Sequence, residues 1–256
     1  RYGTPAIRTA DSAGTIIMEG LPINALYGWK TNGFFQNYDE IQNAALPTGI
    51  DRSQLRPGDV RYVDLNSDGK IDENDRTYLG YAFPRYTYGF TYNVKWKGID
   101  FSIMLQGVLK RENPVRGELV QPFHADYSMT MFDHQLDYWS PQNRDARWPR
   151  LGVSGSVSDT NNWGHTGSDM MLLEGAYMRI KNIQLGYTLP KKWTKKFGCE
   201  ALRIYFDTQN PLTWTKNGFV DPETTSFGNN MSGGADNSVR NYPTLRYFGG
   251  GIDLTF

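Results

Sequence analysis

Residues 86–109 contain two adjacent segments in which apolar and polar side chains alternate strictly. In the first segment the apolar and aromatic positions are Tyr86, Tyr88, Phe90, Tyr92, Val94 and Trp96. After Lys97-Gly98 the parity switches, and the apolar positions become Ile99, Phe101, Ile103, Leu105 and Leu109. A period of two is that of a β-strand. We therefore expect an antiparallel hairpin that turns at Lys97-Gly98 and pairs Trp96 with Ile99, Val94 with Phe101, Tyr92 with Ile103 and Phe90 with Leu105.

This hairpin has one continuously apolar face and one polar face, on which Lys95 stands opposite Asp100 and Asn93 opposite Ser102. Each strand has about 11 residues, the length that a tilted strand needs to cross a bilayer, with aromatic residues at both ends. The pattern fits two strands of a transmembrane β-barrel. It also fits a soluble β-sandwich or a lipocalin-like barrel, whose strands alternate in the same way.

Composition excludes several classes of protein. The 256 residues are 39% hydrophobic with a mean hydropathy of -0.58. No apolar run approaches the roughly 18 residues of a membrane-spanning helix, so a helical membrane protein is excluded. Lysine plus arginine equals aspartate plus glutamate at 27 each, which argues against a nucleic-acid partner. The single Cys199 excludes an internal disulfide.

The connections between the predicted strands alternate between short and long. Six long strands are predicted, at about 23–35, 86–96, 99–109, 177–189, 201–213 and 245–256. Two connections are short: Lys97-Gly98, and the segment Pro190 to Gly198, which we expect to form a helical turn closed by Gly198. Three are long, at about 36–85, 110–176 and 214–244. Outer-membrane barrels have this sorting, with tight periplasmic turns and long extracellular loops.

Two further features concern individual strands. In the last strand Phe248, Ile252, Leu254 and Phe256 share one parity, and the terminal Phe256 resembles the signal that the outer-membrane assembly machinery reads. In strand 177–189 the apolar phase changes, which predicts a bulge near Lys181-Asn182.

Residues 64–75 have the spacing of a calcium-binding loop. Oxygen-bearing side chains occupy loop positions 1, 3, 5, 9 and 12, a glycine occupies position 6, and position 7 would contribute its backbone carbonyl. The expected ligands of a structural Ca²⁺, or alternatively Mg²⁺, are Asp64, Asn66, Asp68, Lys70, Asp72 and Asp75. The loop ends in Asp rather than Glu, and no amphipathic helix follows it, so it predicts a structural site in a surface loop and not a sensor. The alternative is a solvated acidic turn without a metal.

No motif indicates catalysis, and we expect that the protein is not an enzyme. The histidines occur singly, and a glycosidase pair such as Asp133 and Asp137 has no feature that sets its spacing. Trp139, Trp148 and Trp163 lie in the long connections amid polar residues and are candidates for capture of carbohydrate or peptide. The alternative is that they pack the large loops.

Several motifs together resemble the C-terminal part of SusC/RagA-type TonB-dependent outer-membrane transporters. They include Glu19-Gly20-Leu21-Pro22, the segment from Leu26 to Gln36, Gly58-Asp59-Val60 before the loop from Asp64 to Asp72, Tyr88-Gly89-Phe90, the segment from Tyr177 to Pro190, Gln209-Asn210-Pro211-Leu212-Thr213 and Leu254-Thr255-Phe256. The order and spacing of these motifs are specific, and the resemblance extends almost from end to end.

The resemblance implies an all-β fold in which residues 1–256 form the C-terminal part of a 22-stranded transmembrane antiparallel barrel. About six strands would come from this sequence, too few to close such a barrel, and the N-terminal plug domain is not in it. The chain begins at Arg1 without an initiator Met, and we expect a processed or partial chain. The implied location is the bacterial outer membrane, in contact with its lipid.

The resemblance also implies a function, which is TonB-energised import of nutrients. The substrates would be oligosaccharides or peptides, and the partners a SusD-type surface lipoprotein and the TonB complex. Arg179 and Arg203 are candidates for substrate contact in the polar lumen, although cross-strand pairing of the inner wall is an alternative role. The rival interpretations of the whole chain are a secreted, calcium-stapled β-sandwich that binds glycans and, below it, a surface glycosidase.

Overall fold

The computed structural model of the protein describes residues 7–11, 14–115, 117, 120–123, 130–164, 167–223 and 243–256. The chain divides into two compact units. The described residues of the first unit are 7–11, 14–83 and those within 112–173, and the second unit comprises 84–111, 174–223 and 243–256. Within the described ranges, no helix is both long enough and apolar enough to span a membrane.

The second unit is a five-stranded antiparallel sheet in which each strand pairs with the next strand of the unit along the chain. Its strands are β9 (Thr87–Trp96), β10 (Ile99–Val108), β13 (Tyr177–Thr188), β14 (Ala201–Thr215) and β15 (Tyr247–Thr255), and its helix is α3 (Lys191–Thr194). The order in the sheet is β15-β14-β13-β10-β9. Five of the six predicted long strands are thereby confirmed to within about two residues at each end.

The register predicted for the first hairpin is confirmed. Trp96 pairs with Ile99, and Phe90 with Leu105. The turn residues Lys97 and Gly98 have φ values of 48° and 88°. A two-residue turn with both residues at positive φ is the one that matches the twist of the strands it joins.

The bulge predicted in β13 lies at Lys181. Ile180 pairs with Leu212 and Asn182 with Gln209, so the register shifts between them. The same residue is skipped in the pairing of β13 with β10. On the facing strand two residues, Asn210 and Pro211, lie opposite the single Lys181. Proline, which lacks an N–H, is tolerated within a sheet at such an irregularity.

The second short connection is helical, as predicted. Helix α3 runs into a 3₁₀ turn that ends at Gly198, which adopts a left-handed conformation with φ of 71°. The N–H of Thr188 donates to the carbonyl of Gly98 over 2.8 Å. The two short connections therefore lie side by side at the same end of the sheet.

The first unit contains shorter elements. They are β1 (Ile7–Asp11), β2 (Thr15–Met18), β3 (Ala25–Trp29), β4 (Thr31–Phe34), α1 (Tyr38–Asn43), β5 (Leu46–Pro47), β6 (Val60–Tyr62), β7 (Lys70–Ile71), β8 (Arg76–Gly80), β11 (Glu112–Pro114), α2 (Val157–Trp163) and β12 (Leu172–Glu174), which ends at the border of the unit. Strands β1, β2, β3 and β8 form one antiparallel sheet, and β4-β6, β5-β7 and β11-β12 form pairs. Asn37 and Ser156 cap α1 and α2 by accepting hydrogen bonds from backbone N–H groups.

Among its described residues, this unit contains two buried apolar clusters. One contains Val60, Tyr62, Ile71 and Met170, and the other contains Phe35, Ile41 and Leu55. Segments 36–85 and 110–176, which we predicted as long loops, thus contribute buried side chains and short elements of their own. Residues 224–242 of the third predicted loop lie outside the described residues.

The prediction of one long strand at 23–35 is wrong. Two short strands, β3 and β4, occupy this range and belong to different sheets. Gly33 has φ of 69°, outside the extended region. A Cβ at Gly28 would lie 1.6 Å from the carbonyl oxygen of Gly167, so this stretch is shaped by close packing within the first unit.

Candidate functional site: the two faces of the sheet

One face of the five-stranded sheet is apolar and exposed. The register aligns Trp96, Ile99, Tyr187, Ile204 and Ile252 in one row, with one residue from each strand. Their relative exposures lie between 40% and 64%. Exposed apolar rows of this extent mark a surface that contacts lipid or another protein.

The opposite face carries an ion-pair cluster centred on Arg203. Its Nε and Nη2 donate to the two carboxylate oxygens of Asp100 over 3.0 and 2.6 Å, and its Nη1 donates to Asp253 over 2.9 Å. The guanidinium also lies 4.8 Å from the ring centre of Tyr205. The cluster thus joins one guanidinium and two carboxylates across three strands.

A second cluster lies at the other end of the same face, where the long connections leave the sheet. Arg179 is buried; its guanidinium bonds Asp221 over 2.7 Å and Glu223 over 2.5 Å, and its Nε donates to Thr213 over 2.8 Å. Lys181, the bulge residue, also pairs with Glu223 over 2.9 Å. The bulge therefore directs a second cation toward the segment that follows β14.

Asp221 has a perturbed acidity. Burial raises the pKa of its carboxyl, but backbone N–H groups of Glu223 and Thr244 and the guanidinium of Arg179 bond its charged form. The net pKa lies below its ordinary value of 3.8. The ionised form is thus the one that the surrounding residues stabilise.

Both arginines that we predicted as substrate contacts are engaged in these ion pairs. The predicted tryptophans belong to the first unit. Trp148 is 2% exposed, its Nε1 donates to the carbonyl of His134, and its ring centre lies 6.3 Å from that of Trp163. Trp139 is buried, and a Cβ at Gly58 would lie 2.3 Å from its ring. Trp163 is partly buried and packs against the cluster around Tyr62.

The predicted calcium loop is closed by its own acidic side chains. Asp64 accepts hydrogen bonds from the N–H groups of Ser67, Asp68 and Gly69, and Asp68 accepts one from Lys70. Asp75 is fully buried and accepts from the N–H groups of Leu65 and Asp72. Ser67 and Gly69 have positive φ.

The sidechain oxygens of this loop do not form a closed ligand cage. In the described residues, no group of three His, Cys, Asp or Glu side chains is arranged to hold a metal ion. The remaining predicted ligands are the carbonyl of Lys70 and the side chains of Asn66 and Asp72, and Asp72 Oδ1 accepts from the N–H of Asn74.

Phe256, the predicted assembly signal, follows β15 and is exposed.

Sequence reasoning missed a buried polar network in the first unit. Asp59 is fully buried and accepts hydrogen bonds from Ser158 over 2.7 Å and from Asn162 over 3.1 Å, both on α2. Tyr62 donates to the carbonyl of Asn161, and burial raises the pKa of its phenol. The only sequence signal was an Asp between Gly58 and Val60, because its partners lie about a hundred residues away.

Comparison with known proteins gives two informative relatives. The chain is 27% identical over 247 residues, 94% of its length, to TonB-dependent receptor P3 of Formosa agariphila. It is also 27% identical over 233 residues, 90% of its length, to TonB-dependent receptor SusC of Bacteroides thetaiotaomicron. The chain is a homologue of TonB-dependent receptors. It spans 23% and 20% of the length of these two proteins.

Solved structures give the same fold for this receptor homologue. It aligns with the RagAB peptide transporter at a TM-score of 0.66 and 19% identity, over 98% of its own length and 24% of that chain. The RagAB peptide importer in the open-open state gives a TM-score of 0.64 over 100% of the chain and 24% of that chain. No protein-family model matches the chain. The predicted resemblance to SusC and RagA is confirmed by these relatives.

Proposed function

We propose that this chain is a C-terminal part of the barrel of a TonB-dependent outer-membrane importer, in which β9, β10, β13, β14 and β15 are neighbouring wall strands. The observation that carries the proposal is the exposed apolar row from Trp96 to Ile252. A soluble sheet covers such a face with a second layer, whereas a barrel strand turns it toward lipid. The opposite face, with its ion pairs, would line the lumen.

The connections of the sheet support this orientation. The short turns, Lys97-Gly98 and α3, would face the periplasm, and the long segments 110–176 and 214–244 would face the outside. Five strands cannot close a transport barrel. The remaining strands of a 22-stranded wall, the plug and the TonB-binding segment would lie elsewhere in the intact protein.

The proposed activity is import of oligosaccharides or peptides without bond chemistry, in complex with a SusD-type lipoprotein. The homology to SusC and the likeness of fold to the RagAB peptide importer support it. The extracellular connections would meet the lipoprotein and the substrate. Arg203 and Arg179 are saturated by Asp100, Asp253, Asp221 and Glu223, so we infer that they fasten the inner wall.

We also propose that residues 64–75 bind Ca²⁺, with Mg²⁺ as the alternative ion. The donor chemistry fits a hard cation, because every candidate ligand offers an oxygen. The hydrogen bonds within the loop leave acceptor capacity for an ion: Asp64 Oδ1 accepts two N–H groups, but Asp64 Oδ2 and Asp68 Oδ1 each accept one backbone N–H and keep a second lone pair. Asp64, Asn66, Asp68, Asp72, Asp75 and the carbonyl of Lys70 would hold the ion, which would stiffen the loop.

Alternating lipid exposure along β14 tests the barrel proposal. Single cysteines at Ile204, Tyr205, Phe206 and Asp207 would be introduced in a Cys199→Ser background of the intact protein and spin-labelled in the membrane. We expect labels at Ile204 and Phe206 to be relaxed by oxygen, which partitions into lipid, and labels at Tyr205 and Asp207 by a water-soluble nickel chelate. Uniform access of the chelate to all four positions would overturn the proposal.

Isolation of the protein from native membranes tests the assembly. We expect a detergent-dependent complex whose polypeptide mass far exceeds 29.2 kDa and which retains a surface lipoprotein. A detergent-free monomer of 29.2 kDa would instead support the secreted calcium-stapled module.

A further inference from the structure

Five exposed lysines lie in the two short connections at one end of the sheet. They are Lys97, Lys191, Lys192, Lys195 and Lys196, which we call the basic edge. The import mechanism proposed above gives them no role.

The fold holds these lysines together and turns those of α3 outward. The hydrogen bond from Thr188 to Gly98 places the two short connections side by side. Thr194 is 2% exposed, and its hydroxyl lies 3.4 Å from the carbonyl oxygens of Lys191 and Glu200. With Thr194 facing inward, the four lysines of this connection are left exposed to solvent.

The positive charge of the basic edge exceeds the negative charge near it. In the described part of the chain, none of the five lysines takes part in an ion pair, and Asp100 and Asp253 are already bound to Arg203. Of the acidic residues at this end, Glu200 is exposed. At the opposite end of the sheet, by contrast, Lys181 and Lys216 are paired with carboxylates. The chain as a whole is neutral, with 27 cationic and 27 anionic residues.

Two exposed tryptophans accompany the lysines. Trp96, at the last position of β9 and on the apolar face, is 64% exposed, and Trp193 in α3 is 56% exposed. The ammonium of Lys97 lies 4.8 Å from the ring centre of Trp96. Tryptophan in such positions is typical of the membrane–water interface, where it lies at the level of the lipid headgroups.

We propose that the basic edge binds the phosphate groups of anionic phospholipids in the periplasmic leaflet and prefers phosphatidylglycerol to zwitterionic phosphatidylcholine. The lysines would contact headgroups while Trp96 and Trp193 lie at the acyl boundary. This inference rests on the proposed insertion of the sheet in the membrane. It adds a lipid-selective surface, which the importer proposal does not require.

The test titrates the intact protein, purified in detergent, with phosphatidylglycerol or phosphatidylcholine and counts bound lipids by native mass spectrometry. The edge variant is K191Q/K192Q/K195Q/K196Q. The matched control, R85Q/K110Q/K216Q/R246Q, removes four exposed cations at the opposite end of the sheet. A Lys→Arg version of the edge variant keeps the charge. Heat-modified gel mobility and protease protection report whether each variant is folded and inserted.

We expect phosphatidylglycerol affinity to fall by more than roughly tenfold in the edge variant at low salt. The control and the Lys→Arg version should retain it. Equal binding of the two lipids by the parent protein, or equal losses in the edge variant and the control, would overturn the inference while leaving the importer proposal intact. A parent protein that is never inserted in membranes would instead overturn the importer proposal itself.

Discussion

Arg203 and Asp100 form a two-point ion pair across a strand that lies between them. The shorter of the two contacts, Nη2 to Oδ2, is 2.6 Å, although β13 separates β10 from β14. The residue of β13 at the crossing point is Gly186, which pairs with Asp100 on one side and Tyr205 on the other. A Cβ there would lie 2.6 Å from Asp100 Oδ1 and 2.7 Å from Arg203 Nε. Because glycine has no side chain, position 186 leaves the space in which the ion pair forms.

Gly186→Ala should weaken this ion pair and lower the stability of the wall. We expect a loss of about 1 kcal/mol, because the pair is partly exposed and such pairs contribute modestly. The measurement is urea unfolding of the intact protein in detergent. Gly89→Ala is the matched control, since a Cβ at Gly89 meets only the carbonyl oxygen of Leu105, at 3.9 Å. Equal losses in both variants would show that the crossing at Gly186 has no special role.

Acid should loosen the segment that Arg179 holds after β14. The folded-state pKa of Asp221 is lowered, so its contribution to stability is complete above the ordinary pKa of 3.8 and is lost as the pH falls from there through the folded-state pKa. We expect proteolysis near Asp221 to accelerate in this acidic window and to remain constant between pH 5 and 8.

Asp221→Ala isolates the role of this carboxylate. Arg179 would remain buried with one partner fewer, and breaking a buried pair typically costs about 3 kcal/mol. The variant should therefore be cleaved rapidly at neutral pH and lose the part of the acid response that Asp221 supplies. An acid response identical to that of the parent would show that the transition does not depend on Asp221.

The sheet was predictable from the sequence because the residues that determine its register lie close together along the chain. A period of two and a two-residue turn determine which side chains face each other from Tyr88 to Leu105, and the phase change at Lys181 reveals the bulge. The first unit was not predictable in this way. Gly28 contacts Gly167, and Asp59 contacts α2, so the partners that shape these segments lie far along the chain. The alternation of polar and apolar residues carries no information on such contacts.

The residues of the candidate site were also predictable from the sequence only in part. The pattern identified Arg179 and Arg203 as residues of the polar face, but their carboxylate partners Asp221 and Asp253 lie on other segments. Lone tryptophans in polar connections cannot be distinguished from ligand-binding residues before packing is known. In the structure the side chain of Trp148 is buried, and substitution of this residue tests whether its role is packing or binding.

Trp148→Ala should reduce stability more than it changes recognition. The side chain is 2% exposed, and replacing a fully buried Trp by Ala costs about 3–5 kcal/mol. We expect a lower unfolding midpoint and lower abundance in the membrane. Trp148→Phe, which retains most of the apolar volume, should recover much of the abundance. A normally stable Trp148→Ala protein with reduced substrate affinity would instead place this residue in a binding site.

Terbium luminescence should report ion binding by residues 64–75. The indole Nε1 of Trp29 donates to the carbonyl of Asp72 over 2.7 Å, so this ring lies against the loop and can sensitise a bound lanthanide. We expect excitation of tryptophan in the intact protein to produce Tb³⁺ emission that Ca²⁺ displaces at lower concentration than Mg²⁺, because the loop offers many flexible oxygens and Mg²⁺ demands a tighter octahedron.

Two variants separate binding from sensitisation. Asp68→Ala removes a candidate ligand and should weaken Tb³⁺ and Ca²⁺ binding by at least about tenfold, whereas Asp39→Ala removes an exposed acid of α1 and should leave it unchanged. Trp29→Phe should abolish most of the emission but preserve the calorimetric heat of Ca²⁺ binding. If Asp68→Ala binds as tightly as Asp39→Ala, the loop is an acidic turn held by its own backbone hydrogen bonds, and the ion has no part in its structure.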